Sequence, residues 1–295
     1  MPADVLRALL QTPQQHPDTL AGFDAAWRAA AGPGWPAIDQ AILGGAIADR
    51  LGYAFAAGYR AALRHLVPGL EGRACLCVTE DAGAHPRAIR TALDARQGTI
   101  TGHKAWSTLA SEGDTLLVAV SAGANGERND VRVVRVAPNA PGVTLTRMPE
   151  TPFTPEIPHF RVSFDATPVD DVLPGDGYER YIKPFRTVED AHVCAAALAY
   201  LVGVNRAWTP HLLAPLVALR ALALADPTDA SIHLALNSCI KSMQVAIAAL
   251  DWTSVDPAVA ARWTRDAPLL QVASRARDAR TAAAAAKLGL GAASP

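Results

Sequence analysis

Strong charge of either sign is missing from this 295-residue chain: 27 lysines and arginines face 28 acids, for a net charge of −1. Such a balance argues against nucleic acid as a partner. Cysteine is scarce, with Cys75, Cys77, Cys194 and Cys239 too few for a disulfide framework in a chain this long. The Cys75-x-Cys77 spacing has no second pair or histidine cluster beside it, so a zinc site is poorly supported and two small strand residues fit better. No uncharged apolar run reaches the roughly 20 residues of a membrane helix. The first residues lack the basic-then-apolar pattern of a secretory signal. These absences predict a reduced, cytoplasmic protein with neither a membrane nor a nucleic-acid partner. Apolar residues, by contrast, make up half the chain, ample for a large core.

The periodicity divides the chain into three blocks. Residues 1–74 read as helical: "TLAGFDAAWRAA" and "AIDQAILGGAIADRLGYAFAAGYRAALRHLV" repeat apolar residues at helical spacing, parted by Gly32-Pro33-Gly34 and closed by Pro68-Gly69. Residues 75–175 read as an antiparallel β-domain. "ACLCVTE", "TLLVAVSAG" and "VRVVRVAP" have strand character, a Gly/Asn-rich turn falls at 123–130, and "HFRVSFD" alternates Phe160, Val162 and Phe164 with polar partners. Prolines 149, 152, 155 and 158 keep the approach to that last strand out of a helix.

Residues 176–295 read as a four-helix bundle, with helices near 178–206, 210–225, 228–250 and 257–288. Thr209-Pro210, Asp226-Pro227 and Asp256-Pro257 have the form of helix starts, and Gly289 that of a helix end. Apolar residues surround the first of these helices (Ala195, Leu198, Leu201, Val202), which predicts self-association, most simply as a twofold dimer.

The order helix, β-domain, bundle, together with "CVTEDAGAHP" and "TGHKAWST", resembles the acyl-CoA dehydrogenase family. That family carries a T-E-P-x-A-G-S-D stretch followed some strands later by G-x-K-x-W-I-T. Thr79-Glu80, Asp81-Ala82-Gly83 and Gly102 to Thr108 match these here. "VSFDATPVDDVLPGDG" is similar to the family's exit from its β-domain, and "RWTRDA" at 262–267 to its last-helix motif. The resemblance implies an α+β fold with N-terminal helices, a central antiparallel β-domain and a C-terminal four-helix bundle. It also implies bound FAD, with Val78, Thr79, Gly83, Ala84, Trp106, Ser107 and Thr108 against the cofactor, and an acyl thioester such as an acyl-CoA as substrate. An isoalloxazine needs an aromatic or apolar wall and a few fixed donors. By residue type alone, Trp106 as a core residue and Thr108 as a local backbone partner is the better reading, and the resemblance turns the choice to a flavin pocket.

The chain departs from the family in four places. Its N-terminal block is short. The serine of G-S-D is Ala84, followed by His85, which offers either a donor or an exposed turn residue. No glycine lies between 204 and 288, so the glycine loop that approaches a neighbouring subunit's dinucleotide is missing. The step from Arg265-Asp266-Ala267 to the family's catalytic glutamate lands on Ser274. Some relatives keep that glutamate on the first bundle helix, near Val193 here. There, His192 falls on the apolar stripe, while Glu189 and Asp190 read as solvated or paired with Arg186. Arg262 and Asp266, four apart, read as a surface ion pair, and "RDAPLLQVASRARDAR" as a solvated basic face. The expectation is a flavin-dependent oxidoreductase whose catalytic residues are unassigned. The alternatives are a non-catalytic relative that has lost flavin and a reduced-flavin monooxygenase of the same fold.

Overall fold

The structure, a computed structural model, describes residues 1–32, 34–126 and 128–290. Pro33 of the expected break, Glu127 of the expected turn at 123–130 and the last five residues of the 176–295 block lie outside these. The chain divides into two compact units. The helical unit combines Met1–His65, Pro152–Thr154 and Thr187–Pro295, and the β-unit combines Leu66–Thr151 with Pro155–Arg186. The blocks read as first and third domains thus contribute helices to one unit.

Among the described residues the β-unit holds eight strands: β1 (Ala74–Cys77), β2 (Ala92–Asp94), β3 (Thr99–Thr108), β4 (Thr115–Asn125), β5 (Arg128–Val136), β6 (Val143–Arg147), β7 (His159–Pro168) and β8 (Asp171–Val172). They form one sheet in the order β6-β7-β3-β2-β4-β5-β8, with β1 added alongside β4. Most neighbours run antiparallel, as expected, but β1 and β2 each pair with β4 in parallel. The buried side is apolar because the strands supply it alternately. Phe160, Val162 and Phe164 of β7 meet Val118, Val120, Val134 and Val136, and Cys75 and Cys77 are core residues here.

The helical unit begins with α1 (Ala3–Gln11), α2 (Leu20–Ala30), α3 (Ala37–Ile47) and α4 (Leu51–Leu66). It continues with α5 (Lys183–Val204), α6 (Thr209–Ala223), α7 (Ala230–Ala248), α8 (Pro257–Asp266) and α9 (Ser274–Lys287). Glycine sets the spacing at its centre. A Cβ on Gly45 of α3 would stand 2.0 Å from the carbonyl oxygen of Ala196, and one on Gly58 of α4 would stand 2.7 Å from Cα of Val193. Alanine-rich α5 therefore touches two helices at backbone distance. All of residues 193–202 are buried within this one chain, so the apolar circumference of α5 does not signal self-association. Its length and hydropathy would let it cross a membrane, yet most of it is buried inside the unit.

Three expected details change. The helix expected over 257–288 is broken: Pro268, lacking an N–H, falls in a 3₁₀ turn over Ala267–Gln271 that ends α8 before α9 starts. The cap of α7 is Asp229, whose carboxylate accepts the N–H of Ser231, while Asp226 holds the turn before it through Thr228. Thr209 is already helical and donates its hydroxyl to the Arg206 carbonyl, so it is no cap either. Asp256 does cap α8, and Gly289 adopts the left-handed conformation (φ 68°) expected after α9.

Candidate functional site

The β1 exit and the end of β3 converge in the β-unit. Val78 and Thr79 follow the last residue of β1, and the carbonyl of Thr79 accepts the N–H of Ala105 at 2.8 Å. Beneath this crossing lies a buried ion pair. Lys104 is 0% exposed and donates to the Glu80 carboxylate at 2.6 Å. Glu80 also accepts the N–H groups of Arg90 and Thr91 (2.8 and 3.0 Å) and the Thr91 hydroxyl (2.9 Å). Such a pair is tolerable in the interior only because these donors satisfy its oxygens. Burial by itself raises the Glu80 carboxyl, but the Lys104 hydrogen bond, the Thr91 N–H, the Lys104 charge and the Arg90 N–H outweigh it and hold it below its ordinary range. Burial lowers Lys104 more than Glu80 raises it. The glutamate and lysine of the two family motifs thus act on each other, a pairing that a separation of 24 positions conceals in the sequence.

Above that pair, β3 bulges. Lys104 pairs with Val162 and Ser107 with Phe160, so three steps on β3 match two on β7. Lys104 and Ser107 therefore both face inward, and Trp106 is thrown outward. Its φ is 56°, a left-handed conformation rare for a bulky residue, and its side chain is 50% exposed. The Trp106 N–H donates to Met148 Sδ at 3.2 Å, and its ring meets His159 edge-on at 5.8 Å between centroids. Burial lowers the His159 pKa, with a hydrogen bond to the Ile157 carbonyl opposing it, which keeps the ring neutral near pH 7. Thr108 pairs with His159 across the strands and is half-buried on the Trp106 side.

Not every residue implied by the resemblance joins this surface. Ser107 is 1% exposed, with its hydroxyl beside the Cys77 thiol, so its side chain belongs to the core. Gly83, at φ 105°, closes a turn in which its N–H and carbonyl exchange hydrogen bonds with Glu80. That N–H is spent, and Ala84 next to it has no hydroxyl to offer. His85 accepts the N–H of Arg87 and so caps a short 3₁₀ turn.

On the same open face, Asp81 bridges two strands. His103 Nε2 on β3 and Arg161 Nη2 on β7 each lie 2.9 Å from a different oxygen of its carboxylate. Along β7, His159, Arg161 and Ser163 alternate with the buried residues, so this cluster adjoins the Trp106–His159 pair. Nothing in residue spacing announced it.

The helical unit uses its charges differently. Asp190, expected to be solvated or paired with Arg186, is buried and accepts from Arg277 at 3.0 Å and from Arg280. The stretch around those arginines is consequently no simple solvated face. Asp266, expected to pair on the surface with Arg262, is 1% exposed. It accepts the N–H of Thr154 (2.7 Å) and both arms of Arg265. His192 is wholly buried; its Nδ1 donates to the Val188 carbonyl at 2.8 Å, and its ring lies 5.4 Å from that of His65. Burial lowers its pKa to about 3, which suits a neutral core histidine. Ser274 is the first residue of α9. The unit also has a groove of about 600 Å³ lined by Trp252, Trp263, Pro268 and Gln271 among others; Trp263, Thr264 and Ala267 of the last-helix motif line it, but none of the residues that the resemblance sets against the cofactor do.

Residues 75–167 match the family model described as acyl-CoA dehydrogenase, middle domain. No curated protein matches the chain. Among solved structures, the chain is similar to an FAD-dependent dehydrogenase at 16% identity and TM-score 0.69, over 98% of this chain and 97% of that one. It is similar to PigA with FAD and proline at 14% identity and TM-score 0.68, over 97% and 96%. Butyryl-CoA dehydrogenase from Megasphaera elsdenii aligns at 14% identity and TM-score 0.62, over 84% and 80%. The fold is like that of these acyl-CoA dehydrogenases, and the residues that match the middle-domain model lie in the β-unit.

Proposed function

We propose that the open face of the β-unit holds the isoalloxazine of FAD, and that the chain is a flavin-dependent oxidoreductase of acyl-CoA dehydrogenase type. The observation that carries this is the bulge at Trp106. Left-handed backbone at a tryptophan costs on the order of 1–3 kcal/mol, and half-exposing its indole forgoes burial. A core role explains neither cost, whereas a wall for a flat ring explains both. Trp106 supplies that wall, Thr108 a hydroxyl beside it, and Val78-Thr79 the backbone at the ring's polar edge. The Glu80–Lys104 pair fixes the β1 exit against β3 so that these groups stay in register. The flavin supplies a two-electron acceptor for hydride.

The substrate class that fits best is an acyl thioester or a related small molecule. Ser274 occupies the place of the family's α-proton base and cannot serve as one unaided. The chemistry therefore uses a relocated base or an oxidation that needs none. A second reading, a flavin-free binding or partner subunit, is favoured by Ala84 and by the engaged N–H of Gly83, which leave no phosphate cradle at the usual turn. The reduced-flavin monooxygenase remains a narrower version of the first reading. Exposed apolar residues such as Val217 and Leu224 of the α6 region and Val245 of α7 are what a dimer contact could cover. Four cysteines, three of them buried, suit a reducing compartment.

Titration of the purified chain with FAD and riboflavin tests the proposal through flavin fluorescence. Binding that Trp106→Ala abolishes without loss of fold is the expected result. No binding of either flavin by the wild-type chain favours the flavin-free reading.

A further inference from the structure

The fork made by His103 and Arg161 is an anion site built on rigid strands. Two donors from adjacent strands converge at 2.9 Å on the two oxygens of one carboxylate. That carboxylate belongs to Asp81, in the exposed turn closed by Gly83, and the hydrogen bonds of Arg161 and His103 hold its pKa below the ordinary range. Guanidinium geometry matches a planar or tetrahedral oxyanion equally well. The site adjoins Trp106: Arg161 and His159 are two residues apart on β7 and face the same side, a separation of roughly 7 Å. A ring lying over Trp106 thus lies beside this fork. The turn that normally receives the cofactor's phosphates offers nothing here, since the Gly83 N–H is engaged and residue 84 is alanine.

We propose that Arg161 and His103 bind the phosphate groups of the flavin nucleotide, with Asp81 holding the two donors in place until the phosphate takes over its hydrogen bonds. This rests on the flavin reading of the same face and adds to it the residues that distinguish a nucleotide from the bare ring. Both side chains are roughly two-fifths exposed, so a ligand reaches them without rearrangement of the sheet.

Dissociation constants of riboflavin, FMN and FAD are compared for the wild-type chain, Arg161→Gln and His103→Gln, at low and moderate salt. The proposal predicts that FMN and FAD weaken about tenfold in Arg161→Gln and lose most of their salt dependence. Riboflavin is unchanged, and Arg161→Lys recovers part of the loss. Equal weakening of all three flavins, or no change in FAD, overturns the phosphate assignment while leaving the ring site standing. Failure of all three to bind the wild-type chain overturns both.

Discussion

The two units treat their charged residues in opposite ways. In the helical unit the buried carboxylates are consumed by the fold: Asp190 by Arg277 and Arg280, Asp266 by Arg265 and the Thr154 N–H. In the β-unit one carboxylate, Glu80, is buried in the same manner. Its neighbour Asp81 sits outside with His103 and Arg161, beside a tryptophan in an unfavourable conformation. Residues that satisfy one another inside a core announce structure. Residues left outside under strain announce a ligand. By that criterion we read the β-unit as the bearer of the proposed binding surface. In the helical unit, the residue reached by the family's step from Arg265-Asp266-Ala267 is Ser274, the first of α9, and not a carboxylate.

The contrast can be broken most severely at Lys104. Lys104→Met strands the Glu80 charge in the interior and is expected to cost about 3–5 kcal/mol in denaturant unfolding. Adding Glu80→Gln should restore much of the loss. If Lys104→Met alone is neutral, the pair does not hold the site together.

Next comes the pH response of the helical unit. The His192 pKa falls from its ordinary 6.5 to about 3 on folding. The unfolded chain therefore binds that proton first as pH drops. Stability should decline from pH 6.5 downward, by up to roughly 1.4 kcal/mol per pH unit. His192→Leu should flatten that slope between 6.5 and 4.5. Below 4.5 the carboxyl of Glu80, lowered in the fold, adds its own acid sensitivity in the β-unit, because its stabilisation is lost as pH falls through the folded pKa.

A smaller effect separates binding from stability at the bulge itself. Trp106→Gly accepts a φ of 56° without strain and should raise stability by about 1 kcal/mol while losing flavin. A destabilised Trp106→Gly would return the tryptophan to a core role. Smallest of all, Ala84→Ser restores the hydroxyl expected at the phosphate turn and should tighten FAD only a few-fold, the worth of one hydrogen bond.

Much of the fold was legible because it depends on local patterns. The alternation in "HFRVSFD" predicted the buried side of β7 residue by residue, and the change of period near 75 marked where the strands begin. The interruption at Pro268 was visible as a residue yet hidden by the continuous helical periodicity on either side of it. Pairings across long separations were out of reach: Asp190 finds Arg277 87 residues on, and Thr154 finds Asp266 112 residues on. At the site, the resemblance singled out Thr79 and Trp106, which the structure does bring together through Ala105. It also included Ser107, which the bulge turns inward, because no sequence pattern announces a left-handed tryptophan.

The central claim is that the Trp106 face receives the flavin ring. A crystal structure of the chain grown with FAD measures this directly. The account predicts the isoalloxazine within van der Waals contact of the Trp106 indole, with the Thr108 hydroxyl at a ring heteroatom. A ring bound elsewhere, with Trp106 still exposed to solvent, would contradict it.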